Sequence, residues 1–378
     1  MDGLNEWRIQ IDEIDSQMID LFEKRMKLVT NIAKYKEQNN LPIFQEDREK
    51  SVIQKNLKYV KDQEMKDYAE EFIQAMMDVS KRYQMHKVFP KKSEPIKVCE
   101  SLLDKADRSE LKVGYGGVKG AFSEEALMKF FGDKPKRINY EQFEGVFQGL
   151  KNGEIDYGVV PIENSSTGAI NDVYDLLRKY GFYIVGEESI SITQHLLGCK
   201  GTKIDDIKEV YSHTQGLRQS SKFLSNYSWS EVPQHNTSIA AKMVSESNDH
   251  TKAAIASERA AEIYGLEIIK ENINNEKTNK TRFIVIGKQL ECSKDKISII
   301  FKLEHRVGTL YNILKFINDF GLNMVKIESR PVGNEPWNYF FYLDFQGDLE
   351  DENVKSALSS IEKNSSYYKL LGAYKSNY

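Results

Sequence analysis

Between Asn5 and Asn39 neither glycine nor proline interrupts the chain, and the first proline is Pro42. Across that stretch Trp7, Ile11, Ile14, Met18, Leu21, Leu28, Ile32 and Tyr35 recur at the helical period. The pattern predicts one long helix. A second helix is expected from Glu46 to Val60, and a third from Gln63 to Lys87, carrying Phe72, Met76, Val79 and Tyr83. One long helix and two short ones cannot enclose a core alone. The expected solution is an intertwined helical dimer.

At 378 residues the chain is long for one domain, and two or three are expected. Its net charge of −4 leaves no basic excess to neutralise phosphates, which argues against nucleic acid or an anionic membrane as partner. Met1 to Glu6 lacks the basic start and apolar core of a leader. No apolar run approaches the ~20 residues that cross a bilayer. Cys99, Cys199 and Cys292 are odd in number and scattered, which fits a reducing cytoplasm better than a disulfide framework or a metal site.

The charges on the helical region are selective. Arg25 and Lys36 lie roughly three turns apart on one face at ~100° per residue, whereas Arg8 falls roughly 100° off it. Arg8 therefore suits a pocket on the partner of an antiparallel dimer. Ser80 and Gln84 are spaced i, i+4 on the third helix, and Arg48-Glu49 open the second. Together these residues resemble the all-helical chorismate mutases. The resemblance implies that Arg8, Arg25 and Arg48 clamp the two carboxylates of chorismate. Lys36 and Gln84 would donate to the ether oxygen as charge develops on it, with Ser80 beside them and Glu49 holding the ring hydroxyl. Family members often carry an acid three positions before the Arg-Glu pair, where this chain has Gln45.

Two prolines and several charges over residues 89–95 mark a boundary. Beyond it, Leu111 to Tyr115 reads as a strand that enters Gly116-Gly117-Val118-Lys119-Gly120-Ala121-Phe122-Ser123 and then a helix. Glycines at such a turn let N–H groups face an anion. A dinucleotide fingerprint fails here, because Lys119 stands where its third glycine belongs. Strand and helix then alternate, predicting open parallel or mixed sheets with helices on both faces. The chain is expected to leave one lobe near Ser191 and return near Glu271, giving two α/β lobes around a cleft, like periplasmic binding proteins. Polar turns after the strands would line it: Glu163-Asn164-Ser165-Ser166, Ser212-His213 with Gln215, Thr237-Ser238, and Asn279-Lys280-Thr281-Arg282-Phe283.

Those motifs, in that order, resemble prephenate dehydratase. The resemblance implies that prephenate loses carbon dioxide and its ring hydroxyl to give phenylpyruvate. Thr281 would donate to the leaving hydroxyl, with Arg282 at a carboxylate. Phe122, Ser123, Asn164, Ser165, Ser212, Gln215, Thr237 and Phe283 would complete the substrate site. His213 reads as structural. No metal-ligand cluster appears, and no metal or other cofactor is expected.

The last eighty residues read as β-α-β-β-α-β, a ferredoxin-like α+β order. Val307-Gly308-Thr309-Leu310 and Ile327-Glu328-Ser329-Arg330-Pro331 resemble the phenylalanine-binding stretches of ACT domains. The resemblance implies a regulatory site at Val307, Gly308, Thr309, Leu310, Asn323, Glu328, Ser329 and Arg330.

The expected multidomain organisation is therefore a helical mutase domain at 1–90, a linker at 91–110, a dehydratase domain at 111–288 and an ACT domain at 295–378. The function it implies is chorismate to prephenate to phenylpyruvate in phenylalanine biosynthesis, regulated by phenylalanine in a cytoplasmic homodimer or homotetramer. The alternatives are a prephenate or arogenate dehydratase with a degenerate mutase domain, and a non-catalytic amino-acid sensor.

Overall fold

The uninterrupted period folds as one helix, α1, spanning Asp2–Gln38, about 55 Å long at 1.5 Å per residue. The structure, a computed structural model, describes residues 2–39, 46–88, 107–276, 278–291, 295–332 and 335–377. Gln45, Cys99, Cys292 and most of the expected linker lie outside these. The chain divides into two compact units, the first ending at Pro95 and the second beginning at Ile96.

In the first unit α2 (Glu46–Leu57) and α3 (Lys66–Val88) follow α1. Met26, Val29 and Ala33 on α1 and Ile73 and Met77 on α3 are its buried apolar residues. All eight residues of the periodic α1 stripe remain exposed, Trp7 at 65% and Leu21 at 64% among them. They fall within an arc of roughly 120°. One copy of the unit therefore leaves its longest apolar face in water.

The second unit contains three sheets. The first begins with β1 (Lys112–Gly116), α4 (Phe122–Phe131), β2 (Lys136–Tyr140), α5 (Phe143–Asn152), β3 (Tyr157–Asn164), β4 (Gly168–Ala169), α6 (Asn171–Tyr180) and β5 (Tyr183–Ser191). The chain then crosses to a second lobe of β6 (His195–Gly198), β7 (Glu209–His213), α7 (Thr214–Gln219), α8 (Ser221–Leu224), β8 (Ser230–Gln234), α9 (Thr237–Ser247), β9 (Lys252–Ala256), α10 (Glu258–Tyr264) and β10 (Glu267–Lys270). It returns as β11 (Lys280–Gly287) between β3 and β5, completing the order β2-β1-β3-β11-β5. The second lobe has the order β10-β6-β9-β7-β8. The Val159-Val160 and Ile284-Val285-Ile286 runs are buried on both faces, as central strands of a covered sheet must be.

The third sheet is antiparallel, ordered β13-β14-β12-β15, from β12 (Asp295–Lys302), α11 (Thr309–Asp319), β13 (Asn323–Val332), β14 (Glu335–Gly347), α12 (Glu352–Lys363) and β15 (Tyr367–Tyr374). Strand alternation gives it two buried faces. Ile297, Ile299 and Phe301 meet Ile313 and Ile317 of α11 and Leu358 and Ile361 of α12. Ile300, Phe340, Tyr342 and Tyr374 instead share a core with Val146, Tyr174, Leu177 and Ile284 of the first lobe.

No helix among the described residues is long and apolar enough to cross a membrane. The third sheet packs tightly on the first lobe at Gly372, where an added Cβ would lie 2.1 Å from the Ile184 carbonyl oxygen. That contact is with backbone, which cannot rotate away. Gly372→Ala should therefore destabilise the second unit by at least about 1–3 kcal/mol, read as a lowered unfolding midpoint in thermal melts.

Candidate active site

The two lobes enclose a cavity of about 840 Å³. Phe122, Ser123, Asn164, Gln215, Thr237, Thr281 and Phe283 line it, seven of the ten expected substrate contacts, the others being Ser165, Ser212 and Arg282.

The centre is Asn164 and Thr281, opposite one another in the β3–β11 register. Asn164 Oδ1 accepts from the Ser166 and Thr167 N–H groups at 3.0 and 3.2 Å. These two donors fix which way the amide points. Asn164 Nδ2 therefore faces Thr281 Oγ1 at 2.8 Å and donates to it. A second bond from Nδ2 reaches Asn279 Oδ1 at 2.8 Å. Because Thr281 Oγ1 accepts from Asn164, its own proton is free to point elsewhere, and the cavity is beside it. The arrangement makes an oriented neutral donor.

Ala121 precedes α4 without a side-chain cap, and this helix start, Ala121 to Ser123, lines the cavity with first-turn N–H groups that no side chain caps. The first turn of α9 enters from the other lobe at Asn236 and Thr237. Arg178 and Lys179 of α6 line the same space. The glycine-rich loop also holds the lobes together. Its Lys119 carbonyl accepts from Ser238 Oγ at 2.6 Å and Tyr264 OH at 2.9 Å, and its Gly120 carbonyl from Ser257 Oγ at 3.2 Å. Gly120 has φ +81°, and a Cβ there would meet Ser238 Oγ at 2.8 Å. Across the cleft Gln215 Nε2 donates to Thr167 Oγ1 at 2.8 Å.

Three expected substrate contacts lie elsewhere. Arg282 follows Thr281 on a strand, so its side chain leaves by the opposite face. There it is buried among Glu163, Glu187 and Asp344 at 3.1, 3.1 and 3.0 Å. Burial opposes the Arg282 cation, but Asp344, Tyr374 and Glu187 outweigh that and hold its pKa above the ordinary value. Ser212 is fully buried and donates to the Ile255 carbonyl at 2.7 Å. Ser165 is exposed and closes the turn, its Oγ accepting from Lys280 N at 2.9 Å.

His213 lines the cavity and caps α7, its Nδ1 accepting from Gln215 N at 3.2 Å. Gln194, outside every motif named above, is buried and lines the cavity with Oε1 lacking a protein partner. Its place on the crossover between lobes is the cue, since residues at such a hinge face the cleft. No group of three or more His, Cys, Asp or Glu side chains among the described residues could hold a metal.

In the helical unit Arg25 Nη1 donates to Ser80 Oγ, which in turn donates to the Met76 carbonyl at 2.7 Å. Burial lowers the Arg25 pKa from its ordinary value. Ser80 and Gln84 are both buried, and Gln84 Oε1 has no partner. Lys36 is half-buried, while Arg8 and Arg48 are exposed. Glu49 lies on α2, with its side chain outside the described residues. At the C-terminal sheet Gly308 begins α11 with φ +80°, Val307 is fully exposed, and Leu310 packs on the core. Thr309 Oγ1 donates to the Arg306 carbonyl at 3.0 Å, and Asn323 Nδ2 to Gln346 Oε1 at 2.8 Å. Glu328 is half-buried and Ser329 exposed on β13, while Arg330 pairs with Asp175 of α6 at 2.9 Å.

Three family profiles match the chain: chorismate mutase type II over residues 7–85, prephenate dehydratase over 113–291 and the ACT domain over 297–363. A bifunctional chorismate mutase/prephenate dehydratase of Aquifex aeolicus is 33% identical, with 99% of this chain and 98% of that protein covered. A chloroplastic arogenate dehydratase/prephenate dehydratase of Arabidopsis thaliana is 36% identical over 71% of this chain and 73% of its own length. The crystal structure of a prephenate dehydratase from Arthrobacter aurescens in complex with L-Phe is 28% identical, with TM-score 0.65 over 70% of this chain and 90% of that one.

Burial, then His235, lowers the His213 pKa from the ordinary 6.5. Burial lowers that of His195 against the pull of Glu258 and Glu271. Both imidazoles bind protons more readily once unfolded, so their contribution is complete above 6.5 and is lost as pH falls through the folded values. Calorimetry between about pH 7.5 and 5.5 should show the second unit's midpoint falling, and falling less steeply in His213→Gln.

Proposed function

The chain belongs to the bifunctional chorismate mutase/prephenate dehydratases, and on that premise we propose how its residues divide two reactions. Chorismate rearranges to prephenate in the helical domain, and prephenate becomes phenylpyruvate in the two-lobed domain, with the ACT domain as the regulatory module.

The Asn164–Thr281 geometry carries the assignment of the second site. In prephenate the electron pair of the C–carboxylate bond moves into the ring as carbon dioxide leaves, and the C–OH electron pair departs with oxygen. Aromatisation drives the step, so the protein needs to orient a dicarboxylate and stabilise departing hydroxide. Thr281 donates a hydrogen bond to that oxygen, which leaves as hydroxide and takes a proton from solvent to become water. The uncapped start of α4 and the first turn of α9 hold the two carboxylates from opposite lobes. Gln194, Gln215 and Thr237 fix the remaining polar atoms.

For the mutase, Arg25 and Arg48 with Arg8 of a second copy clamp the carboxylates, and Lys36 and Gln84 meet the ether oxygen. Ser80 keeps Arg25 in place, and Glu49 takes the ring hydroxyl. The exposed apolar stripe of α1 supports this reading, because a second copy is the surface that fits it. Phenylalanine is the proposed regulator, held near Val307 to Leu310 with Asn323, Glu328 and Ser329. The domain limits we assign are 1–90, 111–288 and 295–378.

Thr281→Val keeps shape and loses the hydroxyl, so prephenate turnover should fall by about 10²–10⁴-fold, while Thr281→Ser stays within about tenfold. Phenylpyruvate absorbance measures both, and an active Thr281→Val removes Thr281 from the mechanism. Leu21→Glu should convert the assembly to smaller species in sedimentation. It should also lower chorismate consumption on the order of 10²-fold while supplied prephenate is still dehydrated.

A further inference from the structure

Outside the cavity the largest concentration of buried charge lies between the first lobe and the ACT sheet. The lobe contributes Glu163, Glu187 and Arg282, and the ACT sheet contributes Lys296, Lys326 and Asp344. Arg282 meets all three carboxylates. Lys296 Nζ lies 2.8 Å from Glu187 and 3.9 Å from Asp344. Lys326 Nζ lies 2.8 Å from Glu163 and 5.4 Å from the centre of the Tyr174 ring. Arg282 thus keeps two carboxylates if Glu163 moves. Glu163 keeps its place through Arg282 and Lys326 together.

Glu163 and Arg282 are opposite one another in the β3–β11 register, and so are their neighbours Asn164 and Thr281. Each strand turns one residue to the cluster and the next to the cavity. The β3–β11 register shifts by one residue between Arg282 and Phe283, a bulge that local ties on either strand can re-aim, and pairing continues on both sides of it. Burial would raise the Glu163 pKa, but Lys326 and then Arg282 hold it below its ordinary value. On the other side, Lys326 immediately precedes Ile327-Glu328-Ser329-Arg330-Pro331. Arg330, on the same face of β13, reaches Asp175 on α6, whose Asp172, Leu176 and Lys179 line the cavity.

We propose that Lys326 is a positioning residue for the dehydration step: through Glu163 it holds Asn164, and through Asn164 it aims the hydroxyl of Thr281. This rests on the reading of the cleft given above. Because β13 carries both Lys326 and the stretch proposed to meet phenylalanine, a displacement of β13 loosens Glu163 and lowers turnover without touching substrate.

The test uses the full chain and its Lys326→Met, Lys326→Arg, Glu163→Gln and Lys326→Met/Glu163→Gln variants. Turnover and KM for prephenate, chorismate consumption and phenylalanine inhibition are measured, with Thr281→Val as reference. In Lys326→Met, kcat for prephenate should fall on the order of tenfold with KM within about twofold, and phenylalanine inhibition should weaken. Chorismate consumption should be unchanged. Lys326→Arg should recover most of the loss. Glu163→Gln should match Lys326→Met, and the double variant should be no worse than either. Wild-type kcat and inhibition in both single variants would overturn the proposal. So would equal losses in Lys326→Met and Lys326→Arg accompanied by a lowered unfolding midpoint, which is the mark of a merely structural lysine. An active Thr281→Val would instead overturn the reading of the cleft.

Discussion

The second unit depends on a guanidinium that does not face substrate. Arg282 is buried, and a buried cation is tolerable only when carboxylates surround it with good geometry. Glu163, Glu187 and Asp344 do so from two strands of the lobe and one of the ACT sheet. Stranding a buried charge costs about 3–5 kcal/mol, and three carboxylates guard Arg282 against it, since losing one leaves two. The same requirement brings Ser298 Oγ to Asp344 at 2.6 Å and Tyr374 OH to Ser298 at 2.8 Å. The ACT sheet and the first lobe, with β11 between β3 and β5, thus meet around one ion.

The cleft is built on a different principle. Its donors are helix starts, amides and hydroxyls together with Arg178 and Lys179 of α6, and its two lobes are bonded across both sides, at Lys119 and Gly120 and again at Thr167. Neutral donors suit a reaction in which the substrate already carries two negative charges and aromatisation supplies the drive. A strong acid would gain little, whereas a hydroxyl held in one orientation contributes where charge develops.

Much of this was legible in the residues. The helical period of α1 needed no tertiary information, because no glycine or proline offers an alternative. The strand–turn–helix rhythm and the crossings near Ser191 and Glu271 follow from β-branched runs and polar turns. Thr281 and Asn164 stood out through the family resemblance. The orientation of Arg282 did not, although strand parity alone should have sent it away from Thr281. What misled was chemistry: an arginine beside a donor suits a carboxylate substrate equally well, and the carboxylates it meets lie far away in sequence. Ser212 failed for a related reason, since a serine after a strand serves the Ile255 carbonyl as readily as a ligand. Gln194 was missed because a crossover has no periodicity to read.

The six-charge cluster balances only when whole. The lobe brings two carboxylates and one guanidinium, the ACT sheet two ammoniums and one carboxylate, so each half alone is one charge out and the sum is zero. Neither half is a self-sufficient module. A regulatory domain grafted from a relative would need its own counterparts of Lys296, Lys326 and Asp344, or the graft would bury an unmatched ion in place of a neutral seam. Recombination among such chains is thereby restricted to donors that share this charge pattern.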